Sequence, residues 1–131
     1  VAGEIKQMEN TNERHKFTIT RSTWLRGSGD NVSSMLHNPK VDKMCCLGHY
    51  GLSRGLSKED MTNCRTPKYL PLPFHEVFYP FLTQLGIFSG NNEICIKLMD
   101  ANDNNTIVEK SREEIITRLF AEANIAVTFV D

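Results

Sequence analysis

The sequence has no run of about 18 apolar residues, so it offers no segment suited to crossing a bilayer as a helix. It opens without the basic stretch, apolar run and small-residue cleavage site of a secretory leader. Neither an internal repeat nor a low-complexity linker is present, which removes solenoids and tethered modules from consideration. Cysteine is scarce, four in 131 residues, and Cys45 and Cys46 are adjacent, a poor geometry for bridging each other. The expectation is reduced thiols in a cytoplasmic protein with no membrane association, so the glycosylation-type triplets at Asn31 and Asn104 have no consequence.

What is there is an ordinary globular composition. Apolar residues make up 40% and charged residues 24%, spread along the whole length, which excludes a disordered chain, a collagenous one and a coiled-coil rod. A chain of this mass buries about two-thirds of its unfolded surface, enough for one core. Residues 16–131 are therefore expected to form a single domain. Residues 1–15 read as a flexible extension, polar from Glu9 to Lys16, with 1–7 an expression scar or upstream read-through and Met8 the native start. Net charge is only −1, yet residues 1–68 carry 11 Lys/Arg against 7 Asp/Glu and residues 69–131 carry 4 against 9. Such a split either steers an acidic partner or draws the two halves of one fold together.

Periodicity predicts the elements. Lys16 to Thr20 alternates Phe and Ile with Lys and Thr, a half-buried strand, and Ala126 to Val130 is a closing strand. Ser22 offers a cap for a short turn holding Trp24 and Leu25, closed by Gly27, and Val32, Met35 and Leu36 form a helical patch stopped by Pro39. Lys43 to Arg54 reads as a helix whose Gly48 and Gly51 let another backbone approach, ended by Gly55 with Leu56 as its apolar partner. Ser57 caps a further turn. Pro67, Pro71 and Pro73 predict an extended connector, followed by an aromatic helix stripe from Phe74 to Phe88 with Gly86 and Gly90 at its end. Asn92 to Met99 suits either strand or helix, and the helix is preferred. Ser111 and Glu114 form a capping box for a last helix, with Asn124 as its left-handed terminator. The expected fold is α+β, the terminal strands pairing in a small antiparallel sheet with the helices packed against it.

Few residues look equipped for chemistry. Cys45, Cys46 and His49 lie within about one turn, a start on a zinc site or a thiolate–imidazolium pair. However, Cys64 has no second ligand nearby and no third group orients the pair, so Cys45 and Cys46, like Gly48 and Gly51, are read as structural. The acidic run from Asp100 lacks the Gly and Glu of a calcium loop, having Asn105 and Ser111 there. No carboxylate pair predicts an acid–base cleft, and His15, His37, His49 and His75 are scattered, His75 reading as a surface or capping residue. No catalytic residue, metal or cofactor is expected. Arg21, Trp24, Arg26, Lys40 and Lys43 could instead grip phosphates and stack a base, the pattern of a nucleic-acid binder.

The landmarks Arg21 to Gly27 (RSTWLRG), Lys43 to Gly48 (KMCCLG), Leu98 to Asp103 (LMDAND), Arg112 to Glu114, Phe120 to Glu122 and Ile125 to Asp131 come in a distinctive order. In this combination, over about residues 16–60 and 93–131, the chain resembles a group of short uncharacterised proteins encoded by bacteriophages and prophages. His49 stands where that group usually has an aromatic or aliphatic residue, which speaks against a required ligand or base. The resemblance implies an accessory protein of the bacterial cytosol. It would act without catalysis by binding a host or phage macromolecule, a homodimer being one arrangement. The alternatives are a nucleic-acid binder using the basic half and a small thiol or zinc enzyme at Cys45, Cys46 and His49.

Overall fold

The computed structural model describes residues 15–27, 35–78 and 92–131. The expected extension before His15, the turn after Gly27, Val32 and the helix stripe beyond Phe78 lie outside these residues. Phe17 and Ile19 are buried while Lys16 and Thr18 face outward, as the period of two dictates for β1 (His15–Thr20). The closing strand is β2 (Ile125–Val130). The two form a two-stranded sheet, and their direction corrects the expectation: they are parallel, in register from His15 opposite Ile125 to Thr20 opposite Val130.

The reason lies in the connection. A hairpin would force antiparallel pairing, but residues 21–124 intervene and provide the long crossover a parallel pair needs. The direction of β2 is set by α5 (Glu109–Glu122), which packs on the sheet and hands the chain back through a tight turn at Ala123 and Asn124. Asn124 takes the left-handed conformation (φ 62°) expected of it. Ile116, Leu119 and Phe120 form the buried stripe of α5, and the Phe120 ring meets Phe17 edge-on at 5.0 Å.

The segment 92–103 is the helix α4 (Asn92–Asp103). Cys95, Leu98, Ala101 and Asn102 are buried on one face, whereas Ile96 is 49% exposed, and a strand would have sheltered it beside Ile94 and Leu98. The helix runs on through Asp100–Asp103.

At the centre sits α1 (Cys46–Ser53), shorter than predicted because Met44 and Cys45 are extended. Met44 is bridged to Trp24, with Leu25 N–H donating to Met44 O at 2.8 Å and Met44 N–H to Thr23 O at 3.0 Å. The sequence-expected turn therefore holds only Arg21–Thr23, without a Ser22 cap, and Trp24 lies in an extended strip. Gly48 has the role assigned to it: a Cβ there would sit 1.9 Å from Leu36 O. That approach also explains why Met35 and Leu36 are not helical. Only an extended strip can lie this flat on α1, and Leu36 N–H donates instead to Cys64 O at 2.7 Å. Helix α1 closes with a Schellman pair, Leu56 N–H to Gly51 O at 3.1 Å and Gly55 N–H to Leu52 O at 3.1 Å, Gly55 having φ 105°.

Ser57 and Asp60 make the capping box of α2 (Lys58–Met61). The proline stretch is not extended throughout. It forms a 3-10 turn (Pro67–Tyr69), then α3 (Leu72–His75) and a 3-10 turn (Glu76–Phe78), because a first helical turn has no use for the N–H that proline lacks. The predicted box at Ser111 does not form. Helix α5 starts at Glu109 with Val108 before it and no side-chain cap.

Candidate functional site

Cys45 and Cys46 end the extended strip and begin α1, and His49 is one turn further on. All three are buried and none forms a reactive pair. The Cys46 thiol points to Leu98 O at 3.8 Å, while His49 Nε2 faces Thr23 O at 3.4 Å and therefore carries the proton. Burial lifts the Cys46 thiol well above its ordinary range and that of Cys45 to about 12, and burial lowers His49 to about 4. A thiolate–imidazolium pair needs the opposite shifts. Cys64 and Cys95 are also buried and raised by desolvation, and all four cysteines are free thiols. Among the described residues no cluster of His, Cys, Asp or Glu is placed to hold a metal ion.

The basic set is divided by the fold. Trp24 is 2% exposed and presents no face to a base; its Nε1–H donates to Asn102 Oδ1 at 2.8 Å. Arg26 lies 4.3 Å from that ring and pairs with Glu109. Arg21 clasps Glu113 through two bonds of 2.9 Å and reaches Asp131 at 3.0 Å. Here cations of the first half meet carboxylates of the second, so part of the charge split is internal. Lys40 and Lys43 are exposed on the loop that follows Leu36, and neither forms an ion pair among the described residues.

Two residues that sequence reasoning passed over hold the centre together. Asn102 is fully buried and uses all four of its hydrogen bonds. Its Oδ1 accepts from Trp24 and from Cys46 N–H (2.9 Å), the first amide of α1; its Nδ2 donates to Leu25 O (3.0 Å) and Asp103 Oδ1 (2.9 Å). It therefore caps a helix distant in sequence. Arg112, 3% exposed, donates to the carbonyls of Ala101, Asn102 and Asn104 at 2.8, 3.1 and 2.7 Å, covering the C-terminal end of α4, and to Glu109 at 2.8 Å. This anchor places the first turn of α5 ahead of the Ser111 box. A buried Asn and Arg carry no periodic signal, and only the recurrence of both in the quoted landmarks could have pointed to them.

His37 stands between Asp42 Oδ1 and Thr62 Oγ1, each at 2.9 Å, which superficially orders acid, imidazole and hydroxyl as in a hydrolytic triad. Thr62 Oγ1 also lies 2.8 Å from Lys58 O, a carbonyl that takes the hydroxyl proton in competition with the ring. The group of Asp42, His37 and Thr62 clamps the loop to α2. Lys58 joins it from Nζ to Asp42 at 3.1 Å. His75, expected at the surface, is buried with Nε2 on Leu70 O at 2.8 Å.

A further feature is a cleft of about 370 Å³ lined by Thr18, Thr20, Thr23, Met44, His49, Leu52, Ser53 and Lys58. It joins β1 to α1, and no residue of β2 lines it. Among the described residues no helix is long and apolar enough to cross a membrane. Comparisons with protein-family models, curated proteins and solved structures found no match.

Proposed function

We propose that this chain is a binding protein, a phage accessory factor that acts without catalysis by holding a host or phage macromolecule. The observation that carries this reading is that β1 has a strand partner on one edge only among the described residues, since parallel sheets ordinarily continue or are covered. An unpaired strand edge lying in a cleft is a template for another chain. The titration pattern of Cys46 and His49 supports it from the other side, because each group is held in the protonation state that suppresses thiol chemistry. The nucleic-acid reading has less support, with Trp24 buried and Arg21 and Arg26 paired to carboxylates. The phage setting rests on the resemblance of motifs, and a homodimer would use the same edge.

The test is affinity capture by the tagged chain from infected and uninfected bacterial lysate, beside a survey for turnover of thiol-sensitive ester and peptide substrates. Recovery of a specific partner, unchanged in Cys46→Ser, is expected. Failure to retain any partner, with turnover abolished in Cys46→Ser or His49→Gln, would overturn the proposal.

A further inference from the structure

We infer that the free edge of β1 takes up an extended, acidic segment of a partner protein as a third strand. This rests on the binding-protein reading and names the partner's chemistry. Lys16 to Ile19 make no backbone hydrogen bonds among the described residues beyond those to β2, which leaves alternate N–H and C=O groups for another strand, and Thr18 and Thr20 of this strand line the cleft. A peptide strand matches that ladder group for group, which a nucleic acid cannot, and the cleft offers no exposed ring for stacking.

Charge selects among peptides. The lining contains no carboxylate, and its one charged side chain, Lys58, is paired with Asp42, so the selecting charge comes from the cations around it. On the outward face of β1, Lys16 stands in a row with Thr18 and Thr20 and makes no ion pair among the described residues. Exposed Lys43 and Arg54 flank the lining residues Met44 and Ser53 in sequence. Because side chains alternate along a strand, carboxylates at every second position of the incoming segment would lie over the Lys16 row. The intervening β-branched residues would meet Leu52, which is exposed at the cleft.

The probe is an acetylated, amidated Glu-Val-Glu-Val-Glu-Val peptide, compared with its Lys-Val counterpart by fluorescence anisotropy. The acidic peptide should bind at least about tenfold more tightly, weaken with added salt, and slow amide exchange at residues 16–19. Lys16→Glu, a change at an exposed position, should cost about tenfold for the acidic peptide and favour the basic one. N-methylation of all Glu or all Val amides leaves the charge intact but blocks one side of the strand, so one of the two methylated peptides should lose binding. Equal affinity for the two charge types, no binding at millimolar peptide, or full binding by both methylated forms would overturn the inference. Partner capture from lysate undiminished in Lys16→Glu would likewise sink it while leaving the binding-protein reading intact.

Discussion

Gly48→Ala is the sharpest perturbation, because the obstacle it meets is backbone. The added methyl would lie 1.9 Å from Leu36 O, 2.8 Å from Leu36 C and 2.8 Å from Met44 Cβ. Relief requires the 35–38 strip to move by about 1 Å, since unstrained contacts of this kind rarely fall below about 3.2 Å. That strip is held by Leu36 N–H to Cys64 O at 2.7 Å, Cys45 N–H to Met35 O at 3.0 Å and Asn63 N–H to His37 O at 3.1 Å. Overpacking costs about 1–3 kcal/mol and weakening two such bonds about 2 kcal/mol, against a helix-propensity gain of about 1 kcal/mol. The net expectation is a loss of about 3 kcal/mol, or about 10 °C in Tm for a domain of this size. Gly51→Ala is the internal control. Its methyl meets side-chain ends, Met61 Sδ at 2.8 Å and Phe78 Cζ at 3.1 Å, which can rotate away, so its effect should stay within about 1 kcal/mol. Urea and thermal melts followed by circular dichroism measure both. An unchanged or raised Tm for Gly48→Ala, or a larger loss for Gly51→Ala, would refute the close-approach argument.

Other outcomes follow from the same geometry. Asn102→Leu strands the Trp24 indole N–H, the Cys46 amide and Leu25 O in the core, so a loss of about 3–5 kcal/mol is expected, read by urea melts on the fluorescence of the only tryptophan. The folded-state lowering of His49 from 6.5 to about 4 means that the unfolded chain binds its proton first. Its contribution is whole above pH 6.5 and fades as pH falls towards 4, by up to about 3 kcal/mol; His49→Gln should flatten that slope in denaturation midpoints taken across this range. Glu109 is desolvated, but hydrogen bonds from Arg112 and Arg26 outweigh burial and hold it below 4.5, so its contribution is present above 4.5 and lost in more acid solution. Glu109→Gln should remove that acid-limb loss in melts below pH 4.5. The four cysteines should resist a thiol reagent at pH 8 until denaturant is added, and rapid labelling of Cys46 in the native protein would contradict its burial.

The strands, the α5 stripe, the Ser57 box and the Gly55 and Asn124 terminators were legible in the sequence, because each depends on neighbours within about one turn or on alternation along a strand. The close approach at Gly48 was legible too, since a glycine inside a helix is costly unless its bare backbone is needed. The candidate site was less so. The Arg21, Trp24 and Arg26 cluster resembles a polyanion grip in sequence, and only folding brings Glu109, Glu113, Asp131 and Asn102 to it from the far half of the chain.

The sequence by itself determined the two strands, the Ser57 box, the Gly55 and Asn124 terminators, the α+β composition and the apolar face of α5, all properties of short windows. The Ser111 box and the helical reading of Met35 and Leu36 yielded to tertiary contacts. Tertiary structure alone decided that β1 and β2 run parallel, that Asn102 caps α1 and that Arg112 is buried beneath α4. Among the described residues it also leaves β1 with a strand partner on one edge only. Strand direction and long-range hydrogen bonds depend on where the connecting helix returns the chain, and no local pattern of residue types encodes that return.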